Sequence, residues 1–256
     1  MVRQWLPHFV ATYGERGRPT LQVHELLGDT LTCFGLGRPD LAHFTEAEAE
    51  YRVAISGYSA LYGADSFQVL TGEGSLANSY FLFERYTQAI PLFENVYQGM
   101  GKQLGVHSMA AFKALIFKLF CLDESGRTGE AVALARTLLD QGHRYISRTD
   151  YVYRYMLVAS ARALLNDKRT AEASPLVDEL SDSLAHAPVT QHNQIQRSFL
   201  AYLQGVRAQQ LADIPTAIAD LSDAVKRMQY TVGPNCMAAR DARARLQQLS
   251  PAQAAK

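Results

Sequence analysis

Four features of this sequence have residue types suited to chemistry. Gly99-Met100-Gly101-Lys102-Gln103 sets glycines before a lysine, as a phosphate-binding loop does. The full loop also needs an earlier glycine, a Ser or Thr after the lysine to hold magnesium, and a strand in front. Gln103 stands where that hydroxyl belongs and no strand precedes, so the stretch reads as a turn between helices. The seven histidines, His8, His24, His43, His107, His143, His186 and His192, include no pair four apart, the spacing of a helical metal pair. Cys33, Cys121 and Cys236 form no C-x-x-C, so neither a disulfide framework nor a zinc site is indicated, and they are expected as small buried apolar side chains. Glu46, Glu48 and Glu50 alternate at the expected start of a helix, where carboxylates offset the helix dipole. No G-x-S-x-G elbow occurs. The expectation is a chain with no catalytic, cofactor-binding or metal-binding residues, and not an enzyme.

Composition narrows the partners. The 256 residues carry 25 basic and 25 acidic side chains, which disfavours direct binding to nucleic acid or to an anionic membrane surface. Apolar residues at 48% and charged residues at 20% suit a folded domain. No apolar run reaches the roughly 18 residues of a membrane helix, and the opening Met1-Val2-Arg3-Gln4-Trp5-Leu6-Pro7 lacks the apolar core of a signal peptide.

With no chemistry evident, the elements themselves become the subject, and they repeat. Arg127-Thr128-Gly129-Glu130-Ala131 returns as Arg169-Thr170-Ala171-Glu172-Ala173, an offset of 42. Alanines at 47, 89, 131, 173 and 217 lie 42, 42, 42 and 44 apart, each followed by apolar residues at +4 and +7. Those three positions share one helix face. Twelve residues upstream of each later alanine lies a second helix, with Ala77, Ala161 and Gly205 at its small position; Leu119 departs from the pattern, and Gly28 is the counterpart in the first unit. There the link is seven residues longer and carries Gly35-Leu36-Gly37-Arg38-Pro39-Asp40, a loop composition. Two amphipathic helices cannot bury their apolar faces alone, whereas stacked pairs can.

Leu76-Ala77-x-x-Tyr80 followed by Tyr86-x-x-Ala89-x-x-x-Phe93 resembles the tetratricopeptide repeat (TPR). The period near 42 is similar to the long-helix variety of kinesin light chains and bacterial regulatory proteins. The resemblance implies an all-α fold: an α-solenoid of about five helix-turn-helix units with terminal capping helices, one domain over 1–256. The units fall at approximately 21–63, 66–104, 108–146, 150–186 and 192–230, with a capping helix at 235–249. Arg3 to Tyr13 reads as the last helix of an earlier unit, which would make the chain a segment of a longer protein.

The resemblance further implies a protein-interaction module holding a peptide or protein segment in its concave groove. Counting from the alanines places Asn78, Lys113, Phe117, Phe120, Tyr155, Arg162 and Tyr202 on the groove side. Some relatives clamp a terminal carboxylate there. Asn78 and Lys113 match two clamp positions, but Ile116 and Phe117 occupy others. The alternative is a ligand- or partner-sensing domain of a larger bacterial signalling or transcriptional regulator. The cytoplasm is the favoured compartment, with the extracytoplasmic part of a membrane-anchored regulator as the alternative. Homo-oligomerisation stays open.

Overall fold

Two kinds of turn recur between the helices, each with its own backbone chemistry. Between pairs, Gly14, Gly63 and Gly105 take φ of +78°, +91° and +92°, a region glycine enters without steric cost. Three residues later the N–H groups of Gly17, Ser66 and Ser108 donate back to those glycine carbonyls at 3.2, 3.2 and 3.0 Å. The Ser66 and Ser108 hydroxyls then accept from the Val69 and Ala111 N–H groups, each at 3.4 Å, capping the helices that follow. Within a pair, Glu84, Lys168 and Ala212 sit at φ +61°, +58° and +61°, and Gly126 at +74°. The next N–H, of Arg85, Arg169 and Asp213, returns to the carbonyl of Tyr80, Leu164 and Ala208 at 2.8, 2.8 and 2.9 Å. That closure satisfies carbonyls the ending helix leaves open.

The computed structural model describes residues 2–35 and 41–249; the expected loop at 36–40 lies outside them. Helix makes up 84% of the described residues and no strand occurs among them. The chain divides between Ser125 and Gly126 into two compact halves. The first holds a 3-10 turn (Val2–Trp5), α1 (Leu6–Tyr13), α2 (Arg18–Gly35), α3 (Leu41–Tyr62), α4 (Phe67–Leu82), α5 (Tyr86–Leu104) and α6 (Met109–Glu124). The second holds α7 (Thr128–Tyr145), α8 (Tyr151–Asn166), α9 (Thr170–Ala185), α10 (Gln191–Gln210), α11 (Ile214–Thr231) and α12 (Met237–Leu249). In the first half α2 packs on α3, α4 on α5 and α5 on α6; in the second α8 packs on α9, α10 on α11 and α11 on α12.

The repeated alanines are the close-packing points. Ala47, Ala89, Ala131, Ala173 and Ala217 are all buried, as are the residues four and seven positions after each. The facing helix stays small for the same reason. A β-carbon on Gly28 would lie 2.8 Å from the Tyr51 ring, and one on Gly205 would lie 2.7 Å from Leu221 Cγ and 2.9 Å from its backbone N. These distances leave no room for a methyl group.

Two readings of the sequence change. Gly99 to Lys102 is not a turn: it lies in α5, which runs to Leu104. Gly99 is needed because a β-carbon there would meet Leu70 at 2.4 Å, and Met100 is buried. Cys121 is buried as expected, but Cys33 is exposed and Cys236 intermediate. The core also carries charge. Leu70, Phe112 and Arg154 each stand four residues after a helix cap, and all three are buried.

Candidate functional site

In each half, the first helix of a pair has one face turned away from its second helix, and that face is the candidate binding surface. In the N-terminal half it is aromatic. Phe81 of α4 lies edge-on to Phe117 of α6 at 5.5 Å and near Phe120 at 6.2 Å, while Phe117 stacks on Phe93 of α5 at 5.6 Å. Such ring pairs add to what burial alone contributes. Phe117 stays half-buried and Phe120 is buried. Lys113, one turn before Phe117, is exposed; Asn78 is partly exposed and makes no side-chain hydrogen bond among the described residues. Here sequence and structure place partly exposed aromatic area beside polar side chains.

In the C-terminal half Tyr155 is partly exposed and meets Tyr151, one turn earlier, edge-on at 6.4 Å; Tyr151 stacks on His192 of α10 at 4.9 Å. Burial pushes the Tyr155 phenol up to about 12, so it stays a hydrogen-bond donor at neutral pH. Tyr153 does not share this face: it is buried and its hydroxyl donates to Glu179 of α9 at 2.5 Å. The i, i+4 spacing of Tyr151 and Tyr155 is the sequence signal that separates them from Tyr153. Nothing local to His192 marks it as a face residue, because its stacking partner Tyr151 belongs to a different helix.

Arg162 and Tyr202 are buried. The Tyr202 hydroxyl donates to Asp241 of α12 at 2.6 Å. Arg245 Nε donates to the same carboxylate oxygen at 2.6 Å, and its Nη1 donates to Gln209 at 2.9 Å. Burial first and Asp241 second raise the Tyr202 pKa, while the Arg162 charge acts against them. The structure therefore brings Arg162 and Tyr202 into one electrostatic neighbourhood and uses Tyr202 to fasten α12. Of the seven residues expected on the groove side, Asn78, Lys113, Phe117 and Tyr155 keep exposed area in their own halves; Phe120, Arg162 and Tyr202 are buried.

Among the described residues no group of His, Cys, Asp or Glu is placed to hold a metal ion, and no helix is long and apolar enough to cross a membrane. No protein-family model and no curated protein matches the sequence. Solved structures do. The chain is similar to the nearly identical TPR-like repeats of a candidate kinesin light chain from Podosopora anserina, with a TM-score of 0.61 and 15% identity over 84% of this chain and 97% of that one. A single-residue variant of the same protein, with Met in place of a Gln, gives a TM-score of 0.62 at the same identity and coverage. The fold is the TPR-like repeat. At that identity the likeness speaks for fold alone.

Proposed function

We propose that this protein is a non-enzymatic interaction module of the long-period TPR variety, and that it takes a peptide or protein segment on the first-helix faces of its pairs. The observation that carries the reading is the pairing of partly exposed aromatic rings with polar side chains on those faces: Phe117 one turn from Lys113 and Phe81 one turn from Asn78 in one half, and Tyr155 against Tyr151, which stacks on His192, in the other. Aromatic anchors rimmed by polar groups are the composition of binding hot spots. The 42-residue spacing supports the long-period variety. Phe120, Arg162 and Tyr202 support the face from below, holding its shape.

The test is to isolate a partner by affinity capture and titrate it against single variants. Asn78→Ala, Lys113→Ala and Tyr155→Ala should each weaken binding by about 1–3 kcal/mol, the usual span for hot-spot truncation. Arg136→Ala, on the exposed side of α7 where it meets Glu172 at 3.1 Å, should leave binding unchanged. Equal loss from Arg136→Ala would move the binding surface elsewhere.

A further inference from the structure

The chain is neutral as a whole, but its charges are not evenly placed. The first helices of the C-terminal half, α8 and α10, carry Arg154, Arg162, Arg197 and Arg207 and no Asp or Glu. The acids of that half lie on α7, α9 and α11, in turns or, as Asp241, on α12. The first helices of the N-terminal half show no such bias: Glu25, Asp29, Glu73, Asp123 and Glu124 stand against Arg18, Lys113 and Lys118.

Two of the four arginines leave their charge uncancelled. Arg207 meets Asp178 of α9 at 2.6 Å, and Arg162 shares the neighbourhood of Tyr202 and Asp241. Arg154, by contrast, is buried and donates only to the side-chain oxygens of Gln196 and Asn193 and to the Thr149 carbonyl. Arg197 Nη2 donates only to the Leu184 and Ala187 carbonyls, at 2.9 and 2.8 Å, and its buried Nη1 has no hydrogen-bond partner among the described residues. Burial works against the Arg154 charge, Asp150 works for it, and Arg197 is close enough to work against it. Asp150 is already engaged in capping α8, where it accepts from the Val152 N–H at 2.7 Å. The positive dipole ends of α8 and α10 add to the same region.

A charge fixed inside the protein is screened less by salt than an exposed one, so its potential reaches the adjoining surface. That surface is Tyr155, next to Arg154, and His192, next to Asn193; the carbonyl of Tyr151 accepts from Gln196. Tyr155 is partly exposed and His192 exposed, and the Tyr155 hydroxyl makes no hydrogen bond among the described residues. The face offers donors and positive potential, and no carboxylate of α8 or α10 offsets them.

We propose that the segment taken by the C-terminal half is acidic, and that an Asp or Glu side chain of the partner settles against Tyr155 and His192 where α8 and α10 begin. This rests on the reading of the first-helix faces as the binding surface and adds the chemistry of the occupant. Complementary potential of this kind selects partners and speeds their encounter.

The test selects short peptides from a random displayed library on the full chain, then titrates synthetic copies by fluorescence polarisation. The selected peptides should be enriched in Asp and Glu over the library. Their binding should need Tyr155, being weakened by Tyr155→Ala, and should fall as salt is raised. His192 is exposed, so its substitution tests charge without disturbing the fold, which melting temperatures check. His192→Glu should weaken binding by about two- to fivefold and His192→Arg strengthen it by a similar factor, the reach of one exposed charge pair. Peptides that need Tyr155 but carry no excess of acid, or that respond alike to His192→Glu and His192→Arg, overturn this inference and leave the binding face standing. Peptides indifferent to both Tyr155→Ala and Lys113→Ala, or a library that yields none, overturn the face and the inference together. Polyuridylate that displaces the selected peptides at lower concentration than they bind would assign the potential to nucleic acid and overturn the acidic segment.

Discussion

Arg154 of α8 donates its Nε–H to Gln196 Oε1 of α10 at 2.9 Å, and both side chains are buried. Its Nη2 donates to Asn193 at 2.9 Å and its Nη1 to the Thr149 carbonyl at 3.0 Å, while Gln196 Nε2 donates to the Tyr151 carbonyl at 2.7 Å. None of these acceptors is a carboxylate. Burial draws the Arg154 pKa down, with Asp150 opposing and Arg197 adding to the fall. A charge held by neutral dipoles depends on every one of them, since an unpaired buried donor carries its full desolvation penalty.

The first prediction follows from that dependence. Arg154→Leu, which copies Leu70, and Gln196→Leu should each cost about 2 kcal/mol, within the span for stranding a buried polar partner. The double variant should cost at least about 1 kcal/mol less than the sum, as interacting pairs do. Urea denaturation of the four proteins measures this. Strict additivity would mean that the network does not act as a unit.

Two glycines test the packing with opposite signs. Gly205 and Gly129 are both helical, and in an open helix Gly→Ala gains about 0.5–1 kcal/mol. Around Gly129 nothing lies within 4 Å of a β-carbon, so Gly129→Ala should stabilise by that amount. At Gly205 the added carbon would meet Leu221, including its backbone. Gly205→Ala should therefore destabilise by about 1–3 kcal/mol, the usual cost of overpacking. Thermal melts that rank the two variants the other way would show that α10 and α11 can separate at little cost.

The within-pair turns give a third. Lys168 and Glu84 hold φ near +60° where Gly126 does the same without a side chain, and an L residue there gives up about 1–2 kcal/mol. Lys168→Gly and Glu84→Gly should each gain up to about 1 kcal/mol, reduced by the greater freedom of glycine in the unfolded chain. Gly126→Ala should lose a similar amount. A loss of stability in Lys168→Gly, read by the same melts, would show that this side chain does something for the turn that its backbone does not reveal.

How far the sequence could be read depends on where a residue's neighbours come from. Ala47, Ala89, Ala131, Ala173 and Ala217 announced the all-α repeat because a helix crossing demands a small residue whatever else surrounds it, and five such demands recur in step. Even Leu119, the departure in the first-helix column, is buried. Arg154 could not be foreseen, since its partners Asn193 and Gln196 lie about 40 residues away and belong to no repeated pattern. The exposure of each face residue was equally hidden. A first helix touches its own second helix and also its neighbours, so a residue turned from one can be covered by another. Phe120 and Tyr202 are covered in that way, and Lys113 and Tyr155 are not. Gly99 misled because its close contact with Leu70 is tertiary, while its sequence suggested a turn.

Tyr202 supplies the last prediction, because it decides between two roles. Its ring is buried and its hydroxyl is held by Asp241, which Arg245 also holds. Tyr202→Phe keeps the ring and removes one hydrogen bond, leaving Asp241 paired with Arg245, so it should cost about 1–2 kcal/mol. Tyr202→Ala opens a cavity as well and should cost about 3–5 kcal/mol. Because Tyr202 ties α10 to α12, Tyr202→Ala should also speed amide exchange in α12 more than in α8. The measurement is chemical denaturation together with hydrogen exchange, made with no partner present. If Tyr202→Ala melts like the parent and loses only partner binding, Tyr202 is itself a contact residue of the face. If it loses stability and frees α12, the residue works from beneath, by keeping α12 on its neighbours.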